Sequence, residues 1–138
     1  QFLTTDYPHT LSYFKEARAY QFTFQTYDKL GIKYGLSSDA PVEIPNPILG
    51  MYAAIFREVN GTVYQPNERL TRDQAIRGYT TTPWILTAEK AGLLKAGYPC
   101  HLTVLQTDLY TTEKRDFKQN QVTHTYLKGM CLYTHKKT

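Results

Sequence analysis

Between residues 13 and 30, apolar side chains recur at Tyr13, Ala17, Tyr20, Phe24 and Tyr27, in steps of four, three, four and three. That spacing sets them on one face of a helix, and Gly31 supplies its stop. Ile32 to Leu36 then reads as a short strand, and "SSDAP" turns the chain away, leaving Asp39 at the strand's C-terminal end. In "IPNPILGMYAAIFREV", Asn46 is an N-cap and Pro47 occupies the first helical position, where its missing N–H costs nothing. Ile48, Met51, Tyr52, Ile55 and Val59 form the apolar stripe of that helix, and Asn60-Gly61 breaks it. Thr71 and Gln74 make a T-x-x-Q capping box that predicts a helix over 72–80. Pro83 interrupts it, and "TPWILTAEKAG" predicts a second short helix ending near Gly92.

The period then changes. His101 to Gln106 and Val122 to Tyr126 have strand character, and Lys128-Gly129 suits a tight hairpin turn. Residues 111–121, "TTEKRDFKQNQ", read as a polar surface loop or a solvated helix. Helix, glycine turn and strand in that order are expected of an α/β fold. Residues 92–138 are expected to form a small antiparallel β unit, so that the chain taken alone is α+β.

Composition narrows the class. At 138 residues and 41% hydrophobic content the chain suits one domain with a core of its own. No apolar run has membrane-spanning length, and the sequence starts at Gln1 without an initiator methionine or a signal-peptide pattern, which favours an excised soluble piece. A net charge of +4 raises the question of nucleic acid, but only 20% of residues are charged and the two signs are interspersed, so no nucleic-acid partner is expected. Cys100 and Cys131 lack C-x-x-C spacing and read as small buried hydrophobes kept reduced, which implies a cytoplasmic setting.

Asp39 is the leading candidate for chemistry, because catalytic side chains of α/β barrels stand where strands end. A strand-end Asp followed two residues on by Pro is also a common turn residue, and spacing alone leaves both readings open. His9, His101, His124 and His135 show neither H-x-H nor H-E-x-x-H spacing, so a complete zinc site within this chain is not expected. His101 and His124 are placed on strands that could pair. There is no G-x-S-x-G elbow and no G-x-G-x-x-G phosphate loop.

Taken in order, "GLSSDAPVEIPNPILGMYAAIFREV", "RLTRDQAIRGYTTTPW", "AGLLKAGYPCHLTVLQTD" and "VTHTYLKGMCLY" resemble the C-terminal part of the amidohydrolase superfamily, in its amidohydrolase family 3 branch. The resemblance implies a metal-dependent hydrolase of C–N bonds, amide or cyclic amide. Its fold would be a (β/α)₈ TIM barrel with a small β-sandwich, residues 1–91 supplying the last barrel segments and 92–138 part of the sandwich. It implies that Asp39 ligates a divalent metal, zinc in such enzymes, and acts as general base toward the metal-bound water. The family's His-x-His pair, bridging carboxylate and later histidines would lie upstream of Gln1, so no tightly held metal and no activity are expected of this stretch alone. Thr4 stands near where the family carries a histidine, and His101 stands where its "ADLVVL" stretch has Asp. A small-molecule substrate, no membrane, and a homodimer through exposed barrel edges complete the expectation. A non-catalytic binding or regulatory module on the same fold is the alternative.

Overall fold

Asn46 and Pro47 open the helix around which the core is built. In the computed structural model, which describes residues 1–6, 10, 13 and 20–136, the Asn46 side chain accepts a hydrogen bond from the Ile48 N–H at 3.0 Å. Helix α3 (Pro47–Phe56) follows α1 (Phe2–Thr5) and α2 (Phe24–Lys29). It is apolar nearly all round, as a buried helix must be, and Ile48, Met51, Tyr52, Ala53, Ala54 and Ile55 are all buried. Leu70, Ala75, Leu109 and Phe117 close around it, and Phe24, Leu36, Tyr79 and Leu105 pack against that cluster. One core thus joins the helical part of the chain to its C-terminal sheet.

Helix α3 ends earlier than its apolar stripe. Arg57 takes a left-handed conformation (φ 48°) as its N–H donates to Ala53 O at 2.9 Å. Its side chain is fully buried and donates to the carbonyls of Phe22 and Tyr64. Val59 therefore lies in a small hairpin, β1 (Glu58–Val59) against β2 (Thr62–Val63). Asn60 and Gly61, at φ 49° and 79°, form its two-residue turn, the usual use of Asn-Gly between paired strands.

A 3₁₀ turn (Pro66–Glu68) leads to α4 (Arg72–Tyr79), where the capping box is complete in both directions: Gln74 N–H to Thr71 Oγ1 at 3.2 Å, and Thr71 N–H to Gln74 Oε1 at 2.8 Å. Thr80 breaks the helix, and α5 (Thr81–Leu86) follows at once. Its end comes at Leu86 rather than near Gly92, because Ala88 already turns left-handed (φ 58°). Strands β3 (Leu102–Leu105), β4 (Val122–Leu127) and β5 (Met130–Thr134) form an antiparallel sheet in that order, with short α6 (Lys114–Phe117) between β3 and β4. The expected hairpin at Lys128-Gly129 is present, with φ 50° and 81°.

Three local expectations are corrected. A continuous helix over 13–30 does not form: residues 14–19 lie outside the described residues, and the chain breaks at Phe22 (φ 53°), whose carbonyl is held by Arg57. Ile32–Leu36 is extended but pairs in no ladder among the described residues, since strand propensity is realised only beside another strand. Residues 111–121 are not wholly a solvated segment, because Phe117 in their midst is 0% exposed. The whole is a mixed α and β structure with short antiparallel sheets.

Candidate functional site

Helix α2 delivers the chain to Asp39. It closes in a Schellman motif, with Gly31 at φ 70° and bonds from Gly31 N to Asp28 O and from Ile32 N to Tyr27 O. The extended segment beyond is anchored by the Leu36 N–H to Gly78 O at 2.9 Å. Gly78 permits that approach: a Cβ there would stand 2.8 Å from Leu36 Cγ, closer than packed carbon atoms come.

The turn that follows is closed by three short-range bonds. Ser37 Oγ accepts from the Asp39 N–H at 3.0 Å, Asp39 O from the Val42 N–H at 2.9 Å, and Ser38 O from the Glu43 N–H at 3.2 Å. The Ala40–Pro41 peptide is cis, and Asp39 stands at φ 51°. Asp39 is exposed, and its carboxylate takes no hydrogen bond and no ion pair from the described residues. Glu43 is half-buried, by contrast, and ties the turn to α1 by accepting from the Thr5 hydroxyl and from Gln1 Nε2.

Next to this turn a cavity of about 170 Å³ is lined by Phe2, Phe24, Leu36, Ser37 and Tyr79, among others. Burial pushes the Tyr79 phenol above its ordinary pKa, so it remains a neutral donor at physiological pH. A larger cleft of about 550 Å³ runs between the helices and the sheet, lined by Met51, Ile76, Tyr79, Trp84, Leu105 and Tyr126, among others. Asp39 lines neither.

The histidines do not gather. His9 lies outside the described residues. The sheet register sets His124 opposite Val104 and not opposite His101. His101 instead stacks on Trp84 at 6.2 Å and accepts the Lys128 N–H at Nδ1, while His135 lies near the Tyr133 hydroxyl. Among the described residues, no three His, Cys, Asp or Glu side chains group as a metal centre requires. Thr4 sits in α1 with its hydroxyl turned back on the Gln1 carbonyl.

The expectation of buried cysteines is corrected: Cys100 and Cys131 are free but exposed. Cys100 precedes β3 and Cys131 lies on the outermost strand, β5, which is exposed along its whole length. Both thiols are therefore expected to react with a colorimetric disulfide reagent in the native protein, without denaturant. A titre that appears only on unfolding would contradict the exposed placement.

Sequence reasoning named Asp39 as a candidate but not the residues that hold its turn. Ser37 was legible, since Ser two residues before a turn residue is a known side-chain turn. Glu43 was not, because its partners lie 42 and 38 residues away.

Comparison with known proteins settles the family. A protein-family model described as "Amidohydrolase family" matches residues 6–133. YtcJ of Bacillus subtilis (strain 168), a protein named as an amidohydrolase, is 30% identical over 139 aligned residues, which cover 96% of this chain and 26% of that protein. The N-substituted formamide deformylase of Arthrobacter pascens is 31% identical over 106 residues, covering 75% of this chain and 20% of that enzyme. The chain belongs to the amidohydrolase family. It spans about a quarter of the length of one relative and a fifth of the other. No solved structure matches it significantly.

Proposed function

We propose that this chain is the C-terminal portion of a metal-dependent amidohydrolase that hydrolyses a C–N bond, amide or cyclic amide, in a small-molecule substrate. In this reading Asp39 is the active-site residue it contributes. The observation that carries the assignment is the state of the Asp39 carboxylate: exposed, unengaged by the described residues, and presented on a turn that its main chain and the Ser37 hydroxyl close without it. A turn residue needs only its backbone and local side-chain bonds; a carboxylate left unused beyond them suits chemistry with a partner from outside.

Family membership supplies the reaction class, and the name of the formamide-acting relative is consistent with a C–N bond as the target. The parent fold would be a (β/α)₈ barrel ending near residue 91, with residues 92–138 in a small β domain. The described residues do not assemble a metal site by themselves. Asp39 would supply one oxygen ligand of a site whose other ligands come from outside this chain. When bound, a divalent metal such as zinc would bring the pKa of a coordinated water toward neutrality. Asp39 would accept the proton of the attacking water and return it to the leaving amine, the two halves of one acid–base role. Two unpaired thiols agree with a reducing, cytoplasmic setting. The exposed β5 edge would favour association of the isolated chain.

Elemental analysis after dialysis tests the division of the site. The intact parent is expected to retain divalent metal and this 138-residue stretch to retain none. One tightly held metal ion per isolated chain would overturn the partition.

A further inference from the structure

We infer that Glu43 is a positioning residue for Asp39, acting through the turn they share; the inference rests on the reading of Asp39 as the proton-handling carboxylate. Asp39 stands at φ 51°, a left-handed conformation that Asp enters more readily than most residues but that still persists only where the surroundings hold it. The bonds at Ser37 Oγ, Asp39 O and Ser38 O fix the shape of the turn. They do not fix where the turn stands on the body of the protein. Leu36, seated on Gly78, holds the near end of the turn, but Asp39, Ala40, Pro41, Val42 and Ile44 are all exposed, so packing does not fix its far end.

Among the described residues, the side-chain bonds that leave this turn are those of Glu43, one carboxylate oxygen accepting the Thr5 hydroxyl and the other the Gln1 amide at 3.2 Å. Glu43 also closes the turn with its own N–H on Ser38 O, at 3.2 Å. It is thus both the last member of the loop around Asp39 and its strut to α1. Removing the strut leaves Asp39 on a turn free to rock. A displacement of about 1 Å at a reacting group is enough to cost up to about a hundredfold in rate.

The test is a double-mutant cycle in the intact parent enzyme. Glu43→Ala is expected to lower kcat by about tenfold to a hundredfold, with KM and the thermal midpoint little changed. Glu43→Gln keeps an amide oxygen for the Thr5 hydroxyl and should recover most of the rate. In an Asp39→Asn background, Glu43→Ala should cost nothing further, because the route through which it acts is gone. Thr5→Val removes the same bond from the α1 side and should reproduce the loss; it also answers the question if Glu43→Ala does not fold. Wild-type turnover in both Glu43→Ala and Thr5→Val, or equal losses with and without Asp39, would overturn the positioning role. Normal turnover in Asp39→Asn alone would overturn instead the reading beneath it.

Discussion

Asp39→Asn in the intact parent is expected to cut turnover at least about a hundredfold, the usual scale for losing a positioned acid–base group, while the thermal midpoint barely moves. Asparagine keeps the size of the side chain and its tolerance of the left-handed backbone at φ 51°. The bonds that shape the turn run through the Ser37 hydroxyl and the main chain, none of them through the Asp39 carboxylate. Folding therefore has little to lose from the change. What disappears is the negative charge that would hold a metal and the oxygen that would accept a proton. If Asp39 is only a turn residue, Asn should serve nearly as well, because both residues form the same local turn. The two readings separate on rate and not on stability. Near-normal turnover of the Asp39→Asn protein on its substrate would end the catalytic assignment.

The parts of the fold that were legible are those written in neighbouring residues. Asn46-Pro47, the Thr71/Gln74 box, Gly31 and Lys128-Gly129 each act over a span of a few residues, and each appears in the structure where its chemistry puts it. Asn60-Gly61 shows the limit of such signals. The pair was read as ending a helix, but that helix already ends at Phe56 and the pair joins two strands instead; which of the two it does depends on whether the flanking residues find each other across the turn. Ile32–Leu36 fails for a related reason: its residues suit a strand, and the partner that would make it one is not among the described residues. The break at Phe22 was invisible because its cause, the buried Arg57 guanidinium, lies 35 residues away.

The site divides the same way. Asp39 was marked by its own surroundings, "SSDAP", and the Ser37 bond is implicit in the same five letters. The tie from Glu43 to Thr5 and the seat that Gly78 makes for Leu36 are tertiary facts. No local pattern encodes them, and they decide where the carboxylate stands.

Phe117→Ala is expected to be the most destabilising single change in the C-terminal third. "TTEKRDFKQNQ" contains one large apolar residue, and a single residue can show no period, so its role is absent from the pattern. In the structure that ring is 0% exposed. It sits 5.7 Å from the Phe56 ring, edge on, and 6.2 Å from the Tyr52 ring. The Arg72 guanidinium lies 5.4 Å above it while donating to the carbonyls of Leu109 and Thr112, so the same contact fastens α4 to the loop after β3. Truncation removes the ring from the centre of the core and leaves a cavity that α3, held on its other sides, cannot close. Such a change costs about 3–5 kcal/mol, against a total stability of about 5–15 kcal/mol for a typical domain. In urea, with a slope of about 1–3 kcal/mol per molar, the apparent midpoint should fall by at least about 1 M. Phe117→Leu refills much of the space and should lose distinctly less. Because Asp39 and its turn take no contact from this ring, the fraction that remains folded should keep the parent's kcat. A Phe117→Ala protein with an unmoved urea midpoint would mean that the ring does not hold the sheet to the helices.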